Sequence, residues 1–179
     1  MVSMHWPAAT AAALGMGAAA SAAVVSFSKT FVNNTSTTQT YTYSLMVPVL
    51  EGYPTAMMNG QVTATLIDLN GNGASLGNDG TTAIYTALIN GNAVQTLWNA
   101  PFSHAASAYG TSAIPVARFE QVPFTVAESI EVMEIRIRLR LSARDMVTVG
   151  GNFDVIPAPG ALMGVACATG LIGTRRRRH

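Results

Sequence analysis

Between residues 131 and 141 the chain alternates strictly: Met133, Ile135, Ile137, Leu139 and Leu141 fall on one side, and Glu134, Arg136, Arg138 and Arg140 on the other. A period of two sends successive side chains to opposite faces, so this segment reads as an antiparallel strand with one face in a core and one in water. Residues 38–47 repeat the logic, with Tyr41, Tyr43, Leu45 and Val47 inward and Thr38, Thr40, Thr42 and Ser44 outward. Asn33-Asn34-Thr35-Ser36 is the turn expected to join them to a first strand over 25–32. Runs rich in Thr, Val and Ile predict strands over 61–69 and 81–89. Asn90-Gly91 then predicts a hairpin into 93–98, because both residues tolerate the positive φ of a primed turn. Further strands are predicted over 114–119, 122–126, 146–149 and 152–155. The body has no convincing helical period. About eight or nine short strands punctuated by Gly, Asn and Pro predict an all-β fold, an antiparallel β-sandwich of the immunoglobulin-like or jelly-roll kind.

The two ends of the chain read differently. Residues 7–23 are almost wholly Ala, Gly, Met and Leu and close on Ala20-Ser21-Ala22, which predicts a secretory signal helix over 1–22 and a mature start near Ala23. At the other end, 160–174 carries no charge, and Arg175, Arg176, Arg177 and Arg178 follow it. Arginine clusters of this kind stay cytoplasmic, so a single C-terminal transmembrane helix would leave the body facing outward. Counted from Val155, the apolar stretch reaches the ~20 residues that cross a bilayer. Pro157 and Pro159 read as a hinge at the outer membrane face. The expected organisation is a signal peptide at 1–22, a β-sandwich domain at 23–154, and a sorting and anchor segment at 155–179.

A short proline motif, a small-residue-rich apolar helix and a terminal arginine cluster, in that order at the C-terminus, resemble the PEP-CTERM sorting signal of exported bacterial proteins. The resemblance covers 155–179. It implies that a membrane transpeptidase of the exosortase type recognises and cuts the tail, and that the exported body associates with exopolysaccharide. Its sorting motif falls on Pro157, Ala158, Pro159 and Gly160. The family's usual Pro-Glu-Pro stands here as Pro-Ala-Pro, so the acidic residue behind the family's name is replaced by Ala158.

Without its ends the chain keeps about 130 residues, a size suited to one domain with a real core. The one cysteine, Cys167, lies in the tail, so the body has neither a disulfide framework nor thiol chemistry. The formal charge of +1 rests on the four terminal arginines; the rest of the chain is mildly acidic, which gives a nucleic-acid partner no support.

Residues able to carry chemistry are few. His104 is the one histidine of the body, beside His5 in the leader and His179 at the end, which excludes a multi-histidine metal cage. Gly73-Ala74-Ser75-Leu76-Gly77 matches G-x-S-x-G, but a nucleophile elbow needs a strand, turn and helix, whereas a Thr-rich strand follows here. A flexible glycine loop is the expectation, and Ser103 beside His104 is no better placed as a nucleophile. The chain therefore reads as a non-enzyme, with no catalytic residue assigned.

Asp68-Leu69-Asn70-Gly71-Asn72-Gly73 matches D-x-N-x-N-G, and Asp79 falls at the twelfth position of such a calcium loop. Asp68, Asn70, Asn72 and Asp79 are accordingly candidate ligands for weakly held calcium, against an Asn-Gly surface turn as the plainer reading. Arg136, Arg138 and Arg140 form a ladder about 7 Å apart that would suit an anionic polysaccharide. The competing reading is a solvated face balanced by Glu120, Glu128, Asp145 or Asp154. Trp98 and Phe102 flank Pro101 in an expected loop, where an exposed Trp98 would signal carbohydrate contact. The function expected from all this is an exported, non-enzymatic protein of the cell surface or matrix, with a carbohydrate- or calcium-binding sandwich module as the alternative.

Overall fold

The computed structural model describes residues 22–49, 55–125 and 129–157. Residues 1–21 of the predicted signal segment and the tail beyond Pro157 lie outside them. The described residues form ten strands and no helix: β1 (Ala23–Val32), β2 (Gln39–Pro48), β3 (Thr55–Asp68), β4 (Ala74–Gly77), β5 (Tyr85–Ile89), β6 (Asn92–Leu97), β7 (Ser103–Ala106), β8 (Thr111–Thr125), β9 (Val132–Leu141) and β10 (Asp145–Pro157).

Their pairing is nested from the outside in. β1 pairs with β10, β2 with β9, β3 with β8, β4 with β7 and β5 with β6, every pair antiparallel. β10 also pairs with β3, completing a four-stranded sheet in the order β1-β10-β3-β8. In the six-stranded sheet β2 takes one edge of β9. The other edge is shared, with β5 along Met133–Ile137 and β4 at Arg140–Leu141.

The core lies where the alternating strands turn their apolar sides inward. Met133, Ile135, Ile137, Leu139 and Leu141 of β9 are fully buried, as are Val62 and Leu66 of β3 and Val147, Val149, Phe153 and Val155 of β10, all in one cluster. Each such side chain contributes ~1.5–3 kcal/mol relative to exposure. The Tyr85 hydroxyl crosses from β5 to donate to the Asn152 carbonyl of β10 at 2.8 Å, tying the two sheets together. Beside the β1 edge, Phe27 lies against Tyr43 and Phe31 against Tyr41, at ring separations of 5.9 and 5.5 Å. These are the half-buried tyrosines that the β2 alternation assigns to the inside.

Several segments differ from expectation for identifiable reasons. Residues 114–119 and 122–126 merge into the single strand β8, whose Pro115 and Pro123 are tolerated because β8 is an edge strand. Register shifts opposite Asn59 and Thr63 absorb its extra residues. Gly150 and Gly151 do not interrupt β10: a Cβ on Gly151 would come within 2.5 Å of the Gln61 carbonyl, so the glycine permits close strand packing. Gly60 likewise makes room for the Phe119 ring, which would lie 2.5 Å from its Cβ. The predicted hairpin is present, with Asn90 at φ 49° and Gly91 at φ 78° between β5 and β6. The glycine loop expected at Gly73–Gly77 contains β4, and β7 follows Pro101 where no strand was expected. Val155, Ile156 and Pro157, assigned by sequence to the tail, are the last residues of β10, with Val155 buried in phase with Phe153. Among the described residues no helix is long and apolar enough to cross a membrane.

Candidate functional site

The charged side of β9 lies on the outer face of the six-stranded sheet. Its arginines are registered against hydroxyl residues of β2: Arg140 opposite Thr40, Arg138 opposite Thr42 and Arg136 opposite Ser44. On the other flank of β9, Arg136 faces Thr86 and Arg140 faces Gly77.

The three arginines have different partners. Arg136 pairs with Glu134 of its own strand, Nη2 to Oε1 at 2.9 Å. Arg138 reaches the loop before β5, its Nε donating to Asp79 Oδ2 at 2.8 Å. Arg140 has no carboxylate within 4 Å among the described residues, and it lines a cavity of about 200 Å³ with Thr38, Ser75, Gly77, Asn78 and Ser103. Two rungs of the ladder are thus balanced by carboxylates: Arg138 by the partly exposed Asp79, as a solvated face would be, and Arg136 by Glu134, which is itself buried at 3% exposure. Neither acid was among the four expected: Glu120 pairs with Arg118 at 3.4 Å, and Asp145 is buried. Glu134 escaped notice because two positions along a strand face span about 7 Å, farther than a cross-strand neighbour, and it is the length of the Arg136 and Glu134 side chains that closes the gap.

The serines and the histidine do not assemble. Leu76 lies opposite His104 and Gly77 opposite Ser103, and successive residues of a strand face opposite ways. Ser75 and Ser103 are therefore on the outer face with Arg140, while His104 points to the other side, its Nε2 2.8 Å from Ser112 Oγ.

Of the four candidate calcium ligands, Asp68, Asn70 and Asp79 have side-chain oxygens engaged within the protein, while Asn72 contributes its main-chain N–H to the Asn70 side chain. Asp68 Oδ1 accepts the main-chain N–H groups of Asn70 and Gly71, and Oδ2 those of Gly73 and Tyr109. The Asn70 carbonyl oxygen accepts the Asn72 N–H, its amide donates to the Ala143 carbonyl, and Asp79 serves Arg138. A cation needs free oxygen lone pairs, and here main-chain N–H groups take those of Asp68. Among the described residues no three His, Cys, Asp or Glu side chains cluster closely enough to hold a metal. The loop has the backbone of an Asn-Gly turn, with Gly71 at φ 82° under the Tyr109 ring.

Asp68 instead has a buried acidic neighbour that sequence reading missed. Asp145 lies opposite it in the register of β10 and β3, at 0% exposure against 3% for Asp68. Burial would raise the Asp68 carboxyl. The N–H donors of Tyr109, Gly73 and Asn70, together with the Asp145 carboxyl, outweigh it and hold Asp68 down at about 2. Burial pushes Asp145 upward, and the adjacent Asp68 adds to the rise against the Ser142 hydroxyl and the Leu69 N–H. Asp145 Oδ1 is buried with no hydrogen-bond partner, while Oδ2 accepts from the Ser142 hydroxyl. Residues 77 positions apart in sequence give no local sign of such a pair.

Trp98 lies in the expected loop between β6 and β7 but is a core residue, 7% exposed and stacked on Phe102 at 5.3 Å, so it offers no exposed ring for sugar contact. No protein-family model matches the chain, and no curated protein sequence matches it.

Proposed function

We propose that this chain is an exported, non-enzymatic β-sandwich protein of the cell surface or matrix, delivered and held by its C-terminal sorting segment and processed there by an exosortase-type enzyme. One observation carries the reading furthest. β1 and β10 pair from Ala23 opposite Val155, so the predicted mature start and the approach to the sorting motif leave the domain side by side at one end. A body tethered at that end projects its other end away from the membrane. With Val155–Pro157 in β10, the span that remains is 158–174, near the lower limit of about 17 residues for a bilayer.

The fold in this proposal is a jelly roll rather than an immunoglobulin-like sandwich. Its support is the nesting itself: first strand with last, second with ninth, third with eighth and fourth with seventh fall in alternate sheets, and the innermost β5/β6 pair joins β4/β7 in the six-stranded sheet. Jelly rolls include lectin and capsid domains, an analogy of fold alone.

Mass spectrometry of the surface-released protein tests the reading. A carboxyl terminus between Pro157 and Gly160 is expected. Recovery of the chain solely in the cytosol, with His179 intact, overturns it.

A further inference from the structure

We infer that the cavity beside Arg140 is a binding site for a compact oxyanion, a carboxylate or sulfate group, at the end of the domain opposite Ala23 and Val155. The placement follows from register. Ala23 and Val155 mark one end of the β1/β10 pair, and Val32 and Met146 the other. Asn33, next after Val32, donates its side-chain amide to the carbonyls of Leu141 at 3.1 Å and Ser142 at 2.8 Å, which brings the end of β9, and Arg140 with it, to that second end.

Three features define the ligand. The first is charge: a guanidinium stays ionised at any physiological pH, and its fork of N–H donors matches the two oxygens of a carboxylate or sulfate. Its two neighbours on the strand are neutralised by Glu134 and Asp79, whereas Arg140 has no counter-ion among the described residues. The second is the surrounding donors. The hydroxyls of Thr38, Ser75 and Ser103 line the cavity, and none has a hydrogen-bond partner of its own among the described residues, so they are free to complete an oxyanion's shell. No carboxylate lines the cavity, which disfavours a cation.

The third feature is space. Gly77 stands directly opposite Arg140, and its missing side chain keeps the cavity open. One wall is rigid, because the Asn78 amide donates to the carbonyls of Thr82 at 2.8 Å and Trp98 at 3.0 Å. The space amounts to about 200 Å³ and is open to solvent on one side. That accommodates one anionic group and part of the ring that bears it. The inference stands on this geometry and does not depend on how the tail is processed.

The probes are sodium sulfate, sodium glucuronate and glucose, the last being the neutral counterpart of the sugar acid. Each is titrated at constant ionic strength into the full chain in nonionic detergent, with ¹H–¹⁵N NMR following the Arg140 Nε–H and the amides of Ser75, Gly77 and Ser103. Saturable shifts confined to these groups are expected with an oxyanion and not with glucose. Glucuronate saturating at tenfold lower concentration than sulfate assigns the site to sugar acids, and the reverse order to free inorganic anions; either outcome supports an oxyanion site. Arg140→Gln should weaken binding at least tenfold, while Arg118→Gln, in the other sheet, leaves it unchanged. Absence of saturable shifts in the wild-type chain overturns the proposal, as does equal binding by wild type and R140Q with an otherwise unaltered spectrum.

Discussion

Asp145→Asn should make this protein less sensitive to rising pH, because it replaces the proton that the buried acid pair must hold. Asp68, near 2 in the fold, stays ionised under its four main-chain donors, while Asp145 is raised by burial and by that neighbouring charge. In the unfolded chain both titrate close to the ordinary value of 3.8. Between about 2 and 3.8 the unfolded chain binds more protons at Asp68, so this group's contribution is lost as pH falls through that window. Above 3.8 the sign reverses: the folded pair keeps the Asp145 proton that the unfolded chain releases, and stability falls with pH until Asp145 ionises. One proton sets a limiting slope of ~1.4 kcal/mol per pH unit. For a domain of this size that corresponds to about 4 °C in Tm per unit.

In the variant, an amide N–H can donate to Asp68 in place of the acid proton, and the amide carbonyl can still accept from Ser142. Other carboxylates titrate over the same range, so the quantity to measure is the difference between wild type and D145N. Calorimetric Tm values taken at intervals from about pH 4 to pH 8 should show the variant gaining on wild type as pH rises, then a constant offset once Asp145 has ionised. Parallel curves, or a wild type that gains on the variant with rising pH, would refute the shared proton.

Four further outcomes are expected. Tyr85→Phe removes the hydrogen bond to the Asn152 carbonyl and should lower stability by ~1–3 kcal/mol in urea unfolding, because that carbonyl is left with one partner fewer in the core. Burial, with Asp154 second, raises the Tyr85 phenol, so its absorbance should titrate only with alkaline unfolding, and stability should fall as pH climbs beyond 10. On β9, Ile137→Ala should cost ~2–5 kcal/mol, whereas Arg138→Ala, which breaks only a partly exposed ion pair with Asp79, should cost at most ~1 kcal/mol by the same measurement. Deleting Arg175–Arg178 should misroute the protein or release it from the membrane; fractionation unchanged from wild type would count against the sorting proposal.

The parts of the fold legible in sequence are those in which one face of a strand meets water. β9 and β2 alternate cleanly, so their inner residues could be named in advance, and Asn90-Gly91 announced its hairpin through the backbone it tolerates. Where a strand is an edge or is unusually close to a neighbour, the signals misled. Residues 120–121 read as a break between two strands although they lie at a bulge within the edge strand β8, and Gly150-Gly151 read as a break although it lets β10 lie tightly against β3. β4 and β7 are four residues each, too short for a period to register. At the site, the arginine ladder was visible, but which rung lacks a partner was not.

The sequence by itself determined that the body is all-β, because a period of two is a local property of each strand and needs no knowledge of its neighbours. It also gives residues 23–154 one histidine and no cysteine, since residues are counted rather than folded. Tertiary structure alone decided that β1 closes on β10, that Asp68 meets Asp145, that Trp98 turns inward and that Arg140 faces Gly77 instead of an acid. Each of these joins residues far apart in the chain, and long-range pairing is chosen by the burial of the whole sheet, which no local pattern records.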